Sequence, residues 1–324
     1  FFFKQKTAYE IPKRDWSSDV CSSDLLDIKD KHALALARRF LDTYAGNVAA
    51  QKPRWVERSL AGGPVRTLLR SLRRRKRRDL IAARTQRRRG KLRLAIDGKR
   101  TLAATRAERM AVREILQQHA LVYRDTLPKA FFKPIDIARR IAGNGSLGLE
   151  RYVVLVEGMG GMNGHCLMDV KRAAPSALAT HAPHLSKPQP AWPHEAARVL
   201  AIQRITQAIS PALLGAVKHG RHSYLIKEMQ PTADRVDLKA LHGGRETLAS
   251  VIDTMAEVSA WGHLRGCGRH GAAGVDAFAR YVQGRTWRRD IIACARRAQA
   301  QVLRQWRDYA ADYDQNRVAL IEAL

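Results

Sequence analysis

Apolar positions along the chain follow a helical period at both ends and a period of two between them. Within residues 26–50, Leu34, Ala37, Phe40, Leu41 and Tyr44 recur every three or four positions, which is one face of a helix, and Gly46 and Asn47 mark its expected end. A second helical stretch over 53–60 stops at Gly62-Gly63-Pro64. Leu68, Leu69, Leu72, Leu80 and Ile81 keep helical spacing through residues 66–93, which predicts an amphipathic helix. Residues 91–96 and 99–103 flank Asp97-Gly98, a pair suited to the tight turn of a β-hairpin. A helix is expected over 106–124, with Met110, Val112, Ile115, Leu116 and Ala120 inward and Pro128 closing the helical region.

The period then shortens. Residues 131–142 alternate, with Ile135, Ile137 and Ile141 on one face. Arg151-Tyr152-Val153-Val154-Leu155-Val156-Glu157, Cys166-Leu167-Met168-Asp169-Val170-Lys171 and residues 221–229 read as further strands, rich in β-branched and aromatic side chains. One helix interrupts them at 194–209, with Pro193 at its start and Val199, Ile202, Ile205 and Ile209 on its inward side. From residue 245 the pattern is helical again to the end, broken by glycines at 266–274. The implied fold class is α+β, a small antiparallel sheet beside a larger helical region. The regions are 26–130, helical with a short hairpin; 131–232, the sheet with one helix; and 233–324, helical.

Net charge is the compositional outlier, at +28. Residues 66–93 hold fourteen basic residues and one acid, Asp79, with the densest runs at Arg73-Arg74-Arg75-Lys76-Arg77-Arg78 and Arg87-Arg88-Arg89. Arginine grips phosphate as a planar fork, so nucleic acid is a candidate partner of these runs. The leucines threaded through them favour the plainer reading, a solvated face of an amphipathic helix. Aromatics make up only 6% of the chain, too sparse for base-stacking platforms. No apolar run approaches the roughly 20 residues of a membrane span. Cys21, Cys166, Cys267 and Cys294 form neither a C-x-x-C pair nor a metal-ligand spacing, which suggests a reducing, cytoplasmic setting and no metal site.

The candidate chemistry lies in Gly143-Asn144-Gly145-Ser146-Leu147-Gly148 and in Lys171. The spacing G-x-G-x-x-G occurs in the dinucleotide-binding turn that opens a helix and in the flap over nucleotide phosphates in kinases. Here strand-like residues follow, which points to the flap. Glycine permits the positive φ and close backbone approach that a phosphate requires, and a lysine on the next strand can reach under it. A glycine-rich hairpin beside a surface lysine is the plainer alternative. Gly143, Asn144, Gly145, Ser146, Gly148 and Lys171 are therefore the candidate nucleotide contacts. Glu195 is a candidate to orient that lysine, although a first-turn glutamate also satisfies the helix dipole. His263, next to Arg265 at a helix end, reads as structural. His181 and His184 flank Pro183 and read as loop residues.

Two resemblances follow from these residues. Lys4-Gln5-Lys6-Thr7-Ala8-Tyr9-Glu10-Ile11 and Asp15-Trp16-Ser17-Ser18-Asp19-Val20-Cys21-Ser22-Ser23-Asp24-Leu25 resemble the translation of a short-read sequencing adapter, so residues 1–25 are expected to be a non-native, disordered leader in place of the natural N-terminus. The remainder resembles a bacterial family catalogued as domain of unknown function 2252. The resemblance rests on residues 138–152, Val170-Lys171-Arg172-Ala173-Ala174-Pro175-Ser176-Ala177, Arg198-Val199-Leu200-Ala201-Ile202-Gln203-Arg204 and Trp261-Gly262-His263-Leu264-Arg265. It departs at Arg172, where the family commonly has glutamate, and in the arginine-rich 66–93. The family's blocks are similar to a protein-kinase or aminoglycoside-phosphotransferase fold in permuted order, which implies ATP and magnesium as cofactors and an unidentified acceptor. Its Gly-Asp-Ala-His and Asp-Phe-Asp blocks, expected N-terminal to the glycines, do not occur here. The resemblance thus implies a truncated phosphotransferase with no catalytic aspartate, inactive as written; a basic nucleic-acid-binding or scaffold protein with a degenerate nucleotide site is the alternative.

Overall fold

The computed structural model describes residues 28–142, 148–177, 179, 190–238, 241 and 244–315. The leader 1–25, Gly143 to Ser146 of the glycine motif, His181 and His184 lie outside them. The architecture is α+β, as the change of period predicts. Six strands form one antiparallel sheet in the order β3–β4–β5–β6–β8–β7, with β3 at Thr101–Ala103, β4 at Pro134–Arg140, β5 at Arg151–Val156, β6 at Cys166–Ala173, β7 at Gly215–His219 and β8 at His222–Glu228. A separate two-stranded ribbon pairs β1 (Thr85–Arg88) with β2 (Lys91–Leu94).

Strand alternation gives the sheet two apolar faces. Tyr152, Val154, Val156, Cys166, Met168, Val170, Tyr224 and Ile226 form one, which packs on Val112, Ile115 and Leu116 of α4 (Arg106–Ala120). Thr105 and Glu108 close a reciprocal capping box at the start of that helix. The other face carries Val153, Leu155 and Leu167, and is covered by Ile81 of α3 (Arg77–Ala82) and Leu94 of the ribbon. Helix α5 (Glu195–Thr206) lies on this second face, where the Ala196 amide donates to Ser223 Oγ at 3.1 Å.

The helical remainder has its own core. Leu41, Ala45 and Val48 of α1 (Asp30–Ala49) meet Ala260, Trp261 and Leu264 of α6 (Gly244–Gly266), Val282 of α7 (Val275–Gln283) and Trp287 of α8 (Thr286–Asp314). Tyr44 Oη lies 2.6 Å from His263 Nδ1, and Trp261 Nε1 donates to Asn47 Oδ1, so His263 is a packing residue of this core.

Several local expectations change. Residues 53–60 are irregular rather than helical. The basic segment 66–93 is not one helix but α2 (Gly63–Ser71), a 3-10 turn, α3 and then the ribbon. Asp97-Gly98 does turn, with Asp97 Oδ1 accepting from the amides of Lys99, Arg100 and Thr101, yet it joins strands of different sheets. The hairpin turn is instead Arg89-Gly90, because residue 91 pairs backwards with residue 88. A register shift between Pro134 and Asp136 sends Ile135 to the ribbon side and Ile137 to the α4 side, breaking their expected common face. Met110 is exposed, as are Ile202 and Ile209. Helix α5 lies between the sheet and α6 and is half-buried on most of its surface, so no single apolar face exists for Ile202 and its neighbours to share.

Candidate functional site

Lys171 sits near the end of β6, directly opposite Arg151 of β5. Two residues before it, on the same side of the strand, Asp169 is buried and paired across β8 with Lys227. Arg151 grips Asp169 with both arms of its guanidinium, Nε to Oδ1 at 2.8 Å and Nη2 to Oδ2 at 2.6 Å, and also donates to the Ala142 carbonyl at the edge of the glycine segment. Arg140 of β4 adds a third bond to Asp169 Oδ1 at 3.2 Å. The face between the ribbon and α5 therefore holds Arg140, Arg151, Lys171 and Lys227 around one carboxylate.

The charge balance is uneven. Burial works to raise the Asp169 carboxyl, but the bond and charge of Arg151 and the charge of Arg140 outweigh it and hold it below the usual carboxylate range. Lys171 is pushed below its usual value by burial first and then by Arg151 and Lys227, against the pull of Asp169. Arg140 is pushed down as well, by burial and then by Arg151 and Arg84, with Asp169 opposing. Like charges placed directly across a strand pair destabilise it, as Arg151 and Lys171 do here. Such a cluster suits an anion with several oxygens.

A cavity of about 810 Å³ adjoins this cluster. Lys227 and Glu228 at the end of β8, the following residues 229–231, the connector at Ala212, and Leu80, Arg74 and Lys76 of the basic segment line it. Arg75 is held there by Asp234, and Arg77 by Glu228 at 3.1 Å. Lys227 belongs both to this wall and to the environment of Lys171 and Asp169. Its volume is in the range of small-molecule and cofactor sites.

Among the sequence candidates, Lys171 joins the cluster. Gly148 lies at the end of the undescribed glycine segment with φ of 73°, and a strand follows it rather than a helix. Glu195 starts α5, but its carboxylate is taken by Arg198 Nε at 2.7 Å, so the structure gives it a different partner from the one expected. Arg172 alternates to the other side of β6, opposite Tyr224, so the departure from the family pattern falls away from the Lys171 face. Arg140, Arg151, Asp169 and Lys227 were missed by sequence reading. Their signal was charge at strand positions inside apolar runs, but only register brings them together.

Asp169 is saturated by two arginines and does not suit magnesium, and among the described residues no group of three or more His, Cys, Asp or Glu side chains gathers. Cys166, Cys267 and Cys294 are free thiols, and no described helix is long and apolar enough to cross a membrane. A family model described as an uncharacterized protein conserved in bacteria (DUF2252) matches residues 13–312, a span that begins within the adapter-like segment. No curated protein and no solved structure matches the chain.

Proposed function

This chain belongs to the DUF2252 family of uncharacterised bacterial proteins, and on that premise we propose that it binds a nucleoside triphosphate on the Lys171 face, in a fold built on the plan of an ATP-dependent phosphotransferase. The observation that carries the reading is the half-buried cation set Arg140, Arg151, Lys171 and Lys227, facing one saturated carboxylate beside a cavity large enough for a nucleoside. The order β4–β5–β6–β8–β7, with α5 between β6 and β7, supports it. That order puts the lysine on the middle strand, next to the strand entered from the glycine segment, which is the arrangement of parts kinases use over phosphates. Phosphates would lie against Lys171 and Arg151, and the base and ribose toward Met229 and Leu80. The cations neutralise phosphate oxygens and fix their position, which is the protein's main contribution to phosphoryl transfer. We expect this binding in a reducing cytoplasmic compartment.

Calorimetric titration with ATP tests this. Replacing Lys171 with Ala removes one charge-assisted contact of about 1.5–3 kcal/mol, so affinity should fall roughly ten- to a hundred-fold. Equal affinity in Lys171→Ala, or no ATP binding by a folded wild type, overturns the proposal.

A further inference from the structure

We infer that the exposed basic tip of the β1–β2 ribbon docks on the phosphate backbone of a nucleic acid. The tip residues Arg87, Arg88, Arg89 and Lys91 are not part of the Lys171 cluster or of the cavity wall, and the inference does not depend on the nucleotide reading.

The chain breaks its basic segment into short elements and turns their charges outward. Of the fourteen basic residues in 66–93, Arg75, Arg77, Arg78 and Arg93 have acidic partners, leaving ten with none among the described residues. The ribbon concentrates them. Residues 86–91 are all exposed, and Arg88 stands directly opposite Lys91 at the end of the ladder, with Arg87 and Arg89 beside them. Like charges across a strand pair oppose hairpin formation.

Turn chemistry adds a second, independent sign. Arg89 and Gly90 have φ of 49° and 75°, so both central residues of the two-residue turn are left-handed. Asn or Asp is the usual choice at the first of these positions, and arginine there is held in an unfavourable conformation. The same chain places Asp-Gly at its next turn, residues 97 and 98. A cation is thus kept at a ribbon tip against both local backbone preference and its neighbours' charge, and a polyanion laid over the tip would offset the second penalty.

The base of the ribbon is firm. Leu94 is buried against the sheet, its amide donates to Asp136 Oδ2 at 2.9 Å, and Arg93 Nη1 reaches the Ile135 carbonyl at 3.1 Å. A two-stranded ribbon is narrow enough to enter the roughly 12 Å major groove of a B-form duplex, and arginine forks match phosphate oxygens. The exposed tip, Gln86-Arg87-Arg88-Arg89-Gly90-Lys91, has no apolar side chain, whereas a membrane-binding element presents apolar residues to the acyl chains. The contacts run to phosphates, so the interaction is independent of base sequence.

Fluorescence anisotropy with a labelled DNA duplex across a salt series tests the inference. The variant Arg88→Gln/Arg89→Asn/Lys91→Gln is compared with Arg296→Gln/Arg297→Gln/Arg304→Gln, which removes as many exposed charges from α8. The ribbon variant should lower the salt slope by roughly 2.7 and weaken binding about tenfold or more, while the α8 variant changes affinity by less than about threefold. Arg89→Asn alone should lower the slope by about 0.9 without lowering the melting temperature, since asparagine tolerates the left-handed turn. Equal losses in the two triple variants, a wild type that does not bind the duplex, or equal ribbon-dependent binding to phosphatidylserine vesicles each overturns it.

Discussion

Replacing Asp169 with Asn probes the cluster directly. The substitution keeps the shape of the side chain and removes the negative charge that Arg140 and Arg151 share. Removing one partner of a buried ion pair destabilises by about 3–5 kcal/mol, because the remaining charge stays desolvated. Here the Asp169 side chain is 5% exposed, and those of Arg140 and Arg151 are 18% and 17% exposed, so some water can reach the guanidinium groups. Asparagine also still accepts one hydrogen bond. We therefore expect about 3 kcal/mol, toward the lower end of that range.

Urea denaturation at pH 7 measures the loss, with an unchanged m-value as the check that the unfolded state is the same. The same experiment with added inorganic phosphate carries the functional content. The variant leaves the four cations without the charge of Asp169, so phosphate should restore more stability to it than to wild type. The pH sign follows from the depressed carboxyl. The wild-type contribution is present above the unfolded value near 3.9 and is lost as pH falls through the lower folded value. A loss under about 1 kcal/mol with no differential phosphate effect would refute the reasoning, and the charge imbalance would then not govern this face.

His119 supplies a prediction in another pH window. Its ring is fully buried among Tyr123, Phe132 and Gly215, and burial lowers its pKa to about 4; the Leu213 backbone partly offsets this, but neither ring nitrogen completes a hydrogen bond. The folded state holds the histidine neutral, so the stability it contributes is present above about pH 6.5 and is lost as pH falls toward 4, by about 2 kcal/mol at pH 5 and about 3 kcal/mol in all. Urea midpoints from pH 7 to 5 should fall accordingly in wild type, and His119→Leu should flatten that slope; an unchanged slope would disprove the assignment. Gly158→Ala should destabilise by more than about 2 kcal/mol in thermal or urea unfolding, since φ is 59° and an added Cβ would meet the Gly164 carbonyl oxygen at 1.9 Å. A loss near zero would mean that the turn rearranges freely.

What the sequence determined by itself was local. Period and residue type locate β5, β6, β8, α4 and the C-terminal helices, because a run such as Arg151-Tyr152-Val153-Val154-Leu155-Val156 has one good way to bury its side chains. Short elements escaped it: β7 is only five residues, Gly215–His219, and carries no alternation strong enough to stand out. The ribbon escaped for another reason. Residues 91–94 can pair forward across Asp97-Gly98 or backward across Arg89-Gly90, and turn propensity favours the first. Tertiary structure chose the second because it buries Leu94 with Ile81 against the sheet and leaves residues 101–103 free to extend the edge of β4. The candidate site shows the same division. Lys171 was legible from its place after the glycines, whereas Arg140, Arg151, Asp169 and Lys227 come from four separate stretches of chain. Only strand register sets Arg151 opposite Lys171 and Asp169 opposite Lys227, and register is a property of paired strands rather than of any one of them.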